Sequence, residues 1–155
     1  MSEESIFHDP VEQLLHDHRH WRDLFAEYAQ IVPGEEARQG EVLHKIEEDL
    51  RHHVLLNERL VFPSVMTLNA KAAGPVVRAL RGEQEELLKA CRDSARSGAA
   101  DQAGKVRSLY TEVEQYAEFE EKRLVPWIQR LPEVTLHQMS LEIDELAGKS
   151  DAFDS

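Results

Sequence analysis

The chain is poor in the residues that staple, break or ornament a fold. A single cysteine, Cys91, excludes any internal disulfide. Only seven glycines and six prolines are spread over 155 residues, too few for a loop-built or low-complexity protein, and aromatic residues make up a modest 6%. Basic residues are scarce: 18 Lys and Arg stand against 30 Asp and Glu, a formal net charge of −12. Nucleic acid and anionic membrane surfaces both need a basic face, so neither is an expected partner. Cations are the natural guests. No apolar run approaches the ~20 residues that cross a bilayer. The opening Met1-Ser2-Glu3-Glu4-Ser5 lacks the basic start and apolar middle of a secretory leader, so a cytoplasmic location is expected.

What is present is amphipathic helix. Hydrophobic residues make up 41% and charged residues 31%, which fits one globular domain over 1–155, with a core from about 9 to 131 and an extension over 132–155. Asp9-Pro10 reads as an N-cap followed by proline at the first helical position. The first helix is expected from Pro10 to Val32, with Val11, Leu14, His18, Trp21, Phe25, Tyr28 and Val32 on one face. Pro33-Gly34 breaks it. A second is expected from Glu36 to Leu68, with Leu43, Ile46, Leu50, His53, Asn57, Leu60 and Ser64 inward and a kink at Pro63. The third opens at Pro75 and carries Val77, Leu80, Gln84, Leu87 and Cys91; residues 94–104 read as a loop. The fourth runs from Gln102 to Leu131 with Val106, Leu109, Val113, Tyr116, Glu120, Trp127 and Leu131. A short helix after Thr135 and a frayed tail from Ser150 complete the chain. The expected fold is all-α: an up-down-up-down, left-handed four-helix bundle with a short C-terminal appended helix.

Each apolar stripe is interrupted, and the interruptions follow a rule. The first and third helices carry one polar residue each, His18 and Gln84, while the second and fourth carry an i, i+4 pair, His53 with Asn57 and Tyr116 with Glu120. The surroundings of the two pairs also match, since Glu58 and Pro63 are echoed by Glu121 and Pro126. An unpaired polar group in a bundle core costs several kcal/mol, so the six imply a shared partner or a closed hydrogen-bond network. A cation held from facing helices is one solution that bundles use.

These residues resemble the hemerythrin-like, or HHE cation-binding, family. The likeness rests on Asp17-His18, on His53 through Pro63, and on Glu120-Glu121-Lys122-Arg123-Leu124-Val125-Pro126. The resemblance implies a bundle around a non-haem di-iron centre that binds or senses O2, peroxide or nitric oxide. Three positions depart from the family's pattern: Asn57 stands for a bridging Glu, Gln84 for the third-helix His and Tyr116 for the fourth-helix His. His18, His53 and Glu120 then remain as a two-imidazole, one-carboxylate set, a donor trio suited to Fe(II), Zn(II) or Mn(II). Amides are weak neutral ligands, so one iron is expected in preference to two, with Tyr116 as fourth ligand or nearby donor. The alternative is a metal-free interaction or sensory bundle whose inward polar residues only bond one another. No separate nucleophile or phosphate motif supports an enzyme using Glu120 as a base.

Other polar residues carry blander expectations. His16 and His20 read as an exposed pair able to clamp a surface metal, and His52 as an ion-pair partner of Asp49 or a substitute for His53. Glu58 and Glu121 are expected to face outward or reach a neighbouring helix. Glu83, Glu85 and Glu86 form a solvated face, Cys91 is an inert core thiol, and Trp21 and Trp127 are packing residues.

Overall fold

Asp9 opens the first helix by accepting the backbone N–H of Val11 at 2.7 Å and that of Glu12 at 3.4 Å. The structure, a computed structural model, describes the backbone of residues 9–154 and the side chains of 9–147. The readings made on Met1–Ser5 and on Ser155 fall outside the described residues. Helix α1 spans Pro10–Ala29, α2 Glu36–Leu56, α3 Phe62–Leu68, α4 Ala70–Arg96, α5 Ala99–Phe119, α6 Val125–Ile128 and α7 Glu133–Asp154. Among the described residues there is no strand, and the protein is an all-α bundle. Helices α1, α2, α4 and α5 follow one another on short links and pack in that order, so neighbours run antiparallel.

Two π-helical turns interrupt the bundle, at Asn57–Val61 between α2 and α3 and at Glu120–Leu124 between α5 and α6. Each precedes a proline. In an unbroken α-helix the rings of Pro63 and Pro126 would press on the carbonyls of Arg59 and Lys122. Widening the turn relieves this, and the wider bonds run from Phe62 N–H to the Asn57 carbonyl and from Val125 N–H to the Glu120 carbonyl. The extra residue rotates everything downstream. Val65 is buried where Ser64 was expected, and Ile128 where Trp127 was expected.

Helix ends also differ from expectation for local reasons. α1 closes at Ala29, so Ile31 turns inward and Val32 lies outside at 60% exposure. The link carries Gly34 at φ 101°, a conformation that favours glycine. Asn69 caps α4 by accepting Ala72 N–H at 3.0 Å, which starts that helix ahead of Pro75 and leaves the proline inside it. Residues 94–104 are mostly helical, with the break confined to Ser97–Gly98. α7 is longer than the segment expected after Thr135; it buries Met139, Ser140 and Ile143 and packs on α1 and the first π turn.

Candidate metal centre

The polar interruptions converge. His18, His53, Asn57, Gln84, Tyr116 and Glu120 are all buried, and Glu120 has no exposed surface at all. The two i, i+4 pairs stand at the mouths of the two π turns, which begin at Asn57 and Glu120 themselves. Apart from Ser94 and Ser140, the rest of the buried interior among the described residues is apolar, formed by residues such as Ile46, Leu50, Leu80, Leu109 and Val113.

Glu120 is the hub. Its Oε1 lies 2.7 Å from His18 Nε2 and 2.9 Å from His53 Nε2, and its Oε2 lies 2.9 Å from the same His53 nitrogen. The outer nitrogens are held too: His18 Nδ1 lies 2.7 Å from Glu121 Oε2 and His53 Nδ1 lies 2.8 Å from Asp17 Oδ2. Gln13 steadies Asp17 by donating to its other oxygen at 2.9 Å. Trp21 packs on both imidazoles, with ring centroids 5.1 Å from His18 and 4.7 Å from His53.

On the far side of Glu120 lies an amide network. Asn57 Nδ2 donates to Glu120 Oε2 at 2.8 Å, to Gln84 Oε1 at 2.8 Å and to Tyr116 Oη at 3.1 Å. Tyr116 in turn donates its hydroxyl to Gln84 Oε1 at 2.9 Å. The orientation of Gln84 comes from outside: its Nε2 donates to Glu58 at 3.3 Å, and Arg81 Nε donates to both oxygens of that glutamate at 3.0 Å. Each of Asn57, Gln84 and Tyr116 therefore has hydrogen-bond partners within the protein.

The charges follow from these contacts. Burial opposes a charged His53, but Glu120 and then Asp17 overcome it and raise its pKa to about 10. Burial also opposes ionised Glu120, yet the neighbouring His53 and the hydrogen bond from His18 hold its carboxyl well below the usual range. Burial, reinforced by the Glu120 charge, pushes the Tyr116 phenol well above its ordinary value, so its hydroxyl keeps its proton.

The donor set suits a cation. Two imidazole nitrogens and a carboxylate oxygen, all within 4.8 Å of one another, form the one His/Cys/Asp/Glu group able to hold a metal among the described residues. Donors bound side by side at ~2.1 Å from an ion lie about 3 Å apart, close to the distances seen here. The carboxylates at both Nδ1 atoms match the outer support that metal-bound histidines receive.

Sequence reasoning named the six inward residues, and the structure brings all of them together. It gave Asp17 no role as a support, although Asp17 directly adjoins His18; Glu121, expected to face outward or reach a neighbouring helix, reaches His18 of α1. It also left open whether Glu58 faces out; the side chain reaches α4. Asp49 pairs with His20 at 2.8 Å across α1 and α2 rather than with His52, since only the cross-helix geometry brings a ring nitrogen to it. His16 and His20 stack at 6.3 Å between centroids, and His53, not His52, points inward. Glu83, Glu85 and Glu86 are exposed. Cys91 is buried and its thiol is pushed up to about 12, chiefly by burial, which suits an inert core residue.

An all-α bundle whose core gathers two imidazoles and a carboxylate from three helical segments is the architecture of cation-binding helical bundles. The profile of the hemerythrin HHE cation binding domain matches residues 9–147. The chain belongs to this hemerythrin family. No curated protein and no solved structure matches it. Among the described residues no helix is long and apolar enough to cross a membrane.

Proposed function

We propose that the protein binds a single iron ion through His18 Nε2, His53 Nε2 and the Glu120 carboxylate, as a hemerythrin-like domain with a one-metal site. The observation that supports this is the placement of carboxylates around the two imidazoles. Asp17 and Glu121 take the Nδ1 positions, which leaves both Nε2 atoms directed at Glu120. A neutral imidazole would set its Nε2 lone pair against carboxylate lone pairs, so a proton or a metal cation has to stand between them. Asn57 argues for one ion rather than two. Its Nδ2–H donates to Glu120 Oε2, where a second cation would otherwise be needed, and Gln84 and Tyr116 hold that amide in place.

Iron held by His18, His53 and Glu120 would supply the chemistry for binding a small molecule such as O2, peroxide or nitric oxide. The chain's own residues fix the two rings, keep bulk water from Glu120 and hold the Tyr116 hydroxyl toward the amides. Metal analysis of protein from iron-supplemented cells tests the reading. About one iron per chain, lost in His53→Ala, supports it. Absence of metal, with stability unchanged by chelator, overturns it and leaves a bundle held only by its polar network.

A further inference from the structure

Close backbone approach runs along the α1–α2, α2–α4 and α4–α5 seams and is sparser between α1 and α5. The opening there is a groove of about 460 Å³ lined by the buried Phe25, Ile31 and Val106, with the exposed Ala103 among its outer residues. That volume lies within the ~300–1,000 Å³ of small-molecule sites and is far too small for a folded partner. The surface of the groove is mostly apolar.

Its charge is the second observation. The chain has 30 acidic residues, yet two arginines, Arg22 and Arg107, line this groove and no acidic residue does. Arg22 donates through Nε to Glu114 at 2.8 Å, which fixes the guanidinium at the groove's edge. Arg107 has no acidic partner among the described residues. The neighbouring depression along the same helices shares Arg22 but is lined by Glu114, Glu118 and Glu121 as well, so an acid-free lining sets the groove apart from it. An apolar trough with a guanidinium at its edge recognises an anionic head joined to an apolar tail.

We propose that this groove is a binding site for a small amphipathic carboxylate, a medium-chain fatty acid in class, with the tail along Phe25, Ile31 and Val106 and the head on Arg107. The site is separate from the His18–His53–Glu120 cluster and independent of whether that cluster holds metal. Arg22 contributes attraction from the other side of the opening. Its bond to Glu114 makes it the lesser of the two charges.

Isothermal titration of the full chain with decanoate, below the concentration at which decanoate self-associates, tests this. One saturable site per chain is expected. Arg107→Glu should weaken binding at least tenfold. Ala103→Trp, at an exposed position that fills the groove, should abolish it while circular dichroism and melting temperature stay as in the parent. Decyltrimethylammonium, which carries the same tail with the opposite charge, should bind at least tenfold more weakly than decanoate. Absence of saturable decanoate binding overturns the proposal. So does equal binding of the two amphiphiles, or an Arg107→Glu protein that binds decanoate as the parent does.

Discussion

His53 turns its Nδ1 to Asp17 Oδ2 at 2.8 Å, and that contact decides which ring nitrogen faces the interior of the bundle. Asp17 itself is anchored by Gln13, one helical turn earlier. Loss of such an outer carboxylate lets the ring rotate and lowers the basicity of the inner nitrogen; typical costs are about 10–100-fold in metal affinity. Asp17→Asn is therefore expected to bind iron(II) or cobalt(II) about 10–100-fold more weakly in a chelator competition. Affinity equal to the parent's would show that Asp17 does not position the ring.

The amide of Asn57 is expected to matter for the fold even without metal. Asn57→Leu fills the same space but withdraws the donor from Glu120, Gln84 and Tyr116 together. Leaving buried acceptors unsatisfied costs about 1–3 kcal/mol. Urea unfolding of metal-free protein should show a loss of that order. A variant as stable as the parent would mean that water or a rearranged Gln84 takes over.

The metal-free protein should lose stability as the solution becomes alkaline. The pKa of His53 is raised from 6.5 to about 10 on folding, so its contribution is complete below 6.5 and drains away as pH climbs through about 10. Glu120 shifts the other way. Its lowered value means a contribution present above the ordinary carboxyl value of 4.5 and lost as pH falls below it. Urea midpoints measured across this range should form a plateau between the two limbs, and His53→Gln should flatten the alkaline limb. An alkaline limb unchanged in that variant would assign it to other groups.

Tyr116 is expected to act as a hydroxyl donor, not as a phenolate ligand. Its hydroxyl is committed to Gln84 Oε1, and burial keeps it protonated. Iron(III)-loaded protein should accordingly show no phenolate charge-transfer band in the visible. Tyr116→Phe should leave the spectrum unchanged and cost about 0.5–1.5 kcal/mol of stability for the lost bond. A visible band that vanishes in Tyr116→Phe would put the phenolate on the metal.

Much of the site was legible because polar residues break an apolar period in plain view. His18, His53, Asn57, Gln84, Tyr116 and Glu120 were identifiable for that reason alone, and all six lie inside. Their supports were harder to see. Asp17, Glu58 and Glu121 sit beside the seams, where a charged residue is unremarkable until a neighbouring helix is placed against it. The phase errors at Ser64 and Trp127 share one origin. A constant helical repeat was carried across two prolines, and each π turn adds a residue to that repeat. The early start of α4 reflects competition between two good openings, which Asn69 wins through its bond to Ala72 N–H.

The paired π turns make the chain intolerant of a change in length near its centre. Deleting one residue from Asn57–Val61 or from Glu120–Leu124 would let the helix close as an ordinary α-helix with Val65 or Ile128 still facing inward, but would press the ring of the following proline on the carbonyl four residues before it. The same deletion at Ser97–Gly98, in a connection with no proline in the helix that follows, forces no such clash. Libraries of single-codon deletions should therefore be depleted sharply at the two turns and little at that connection.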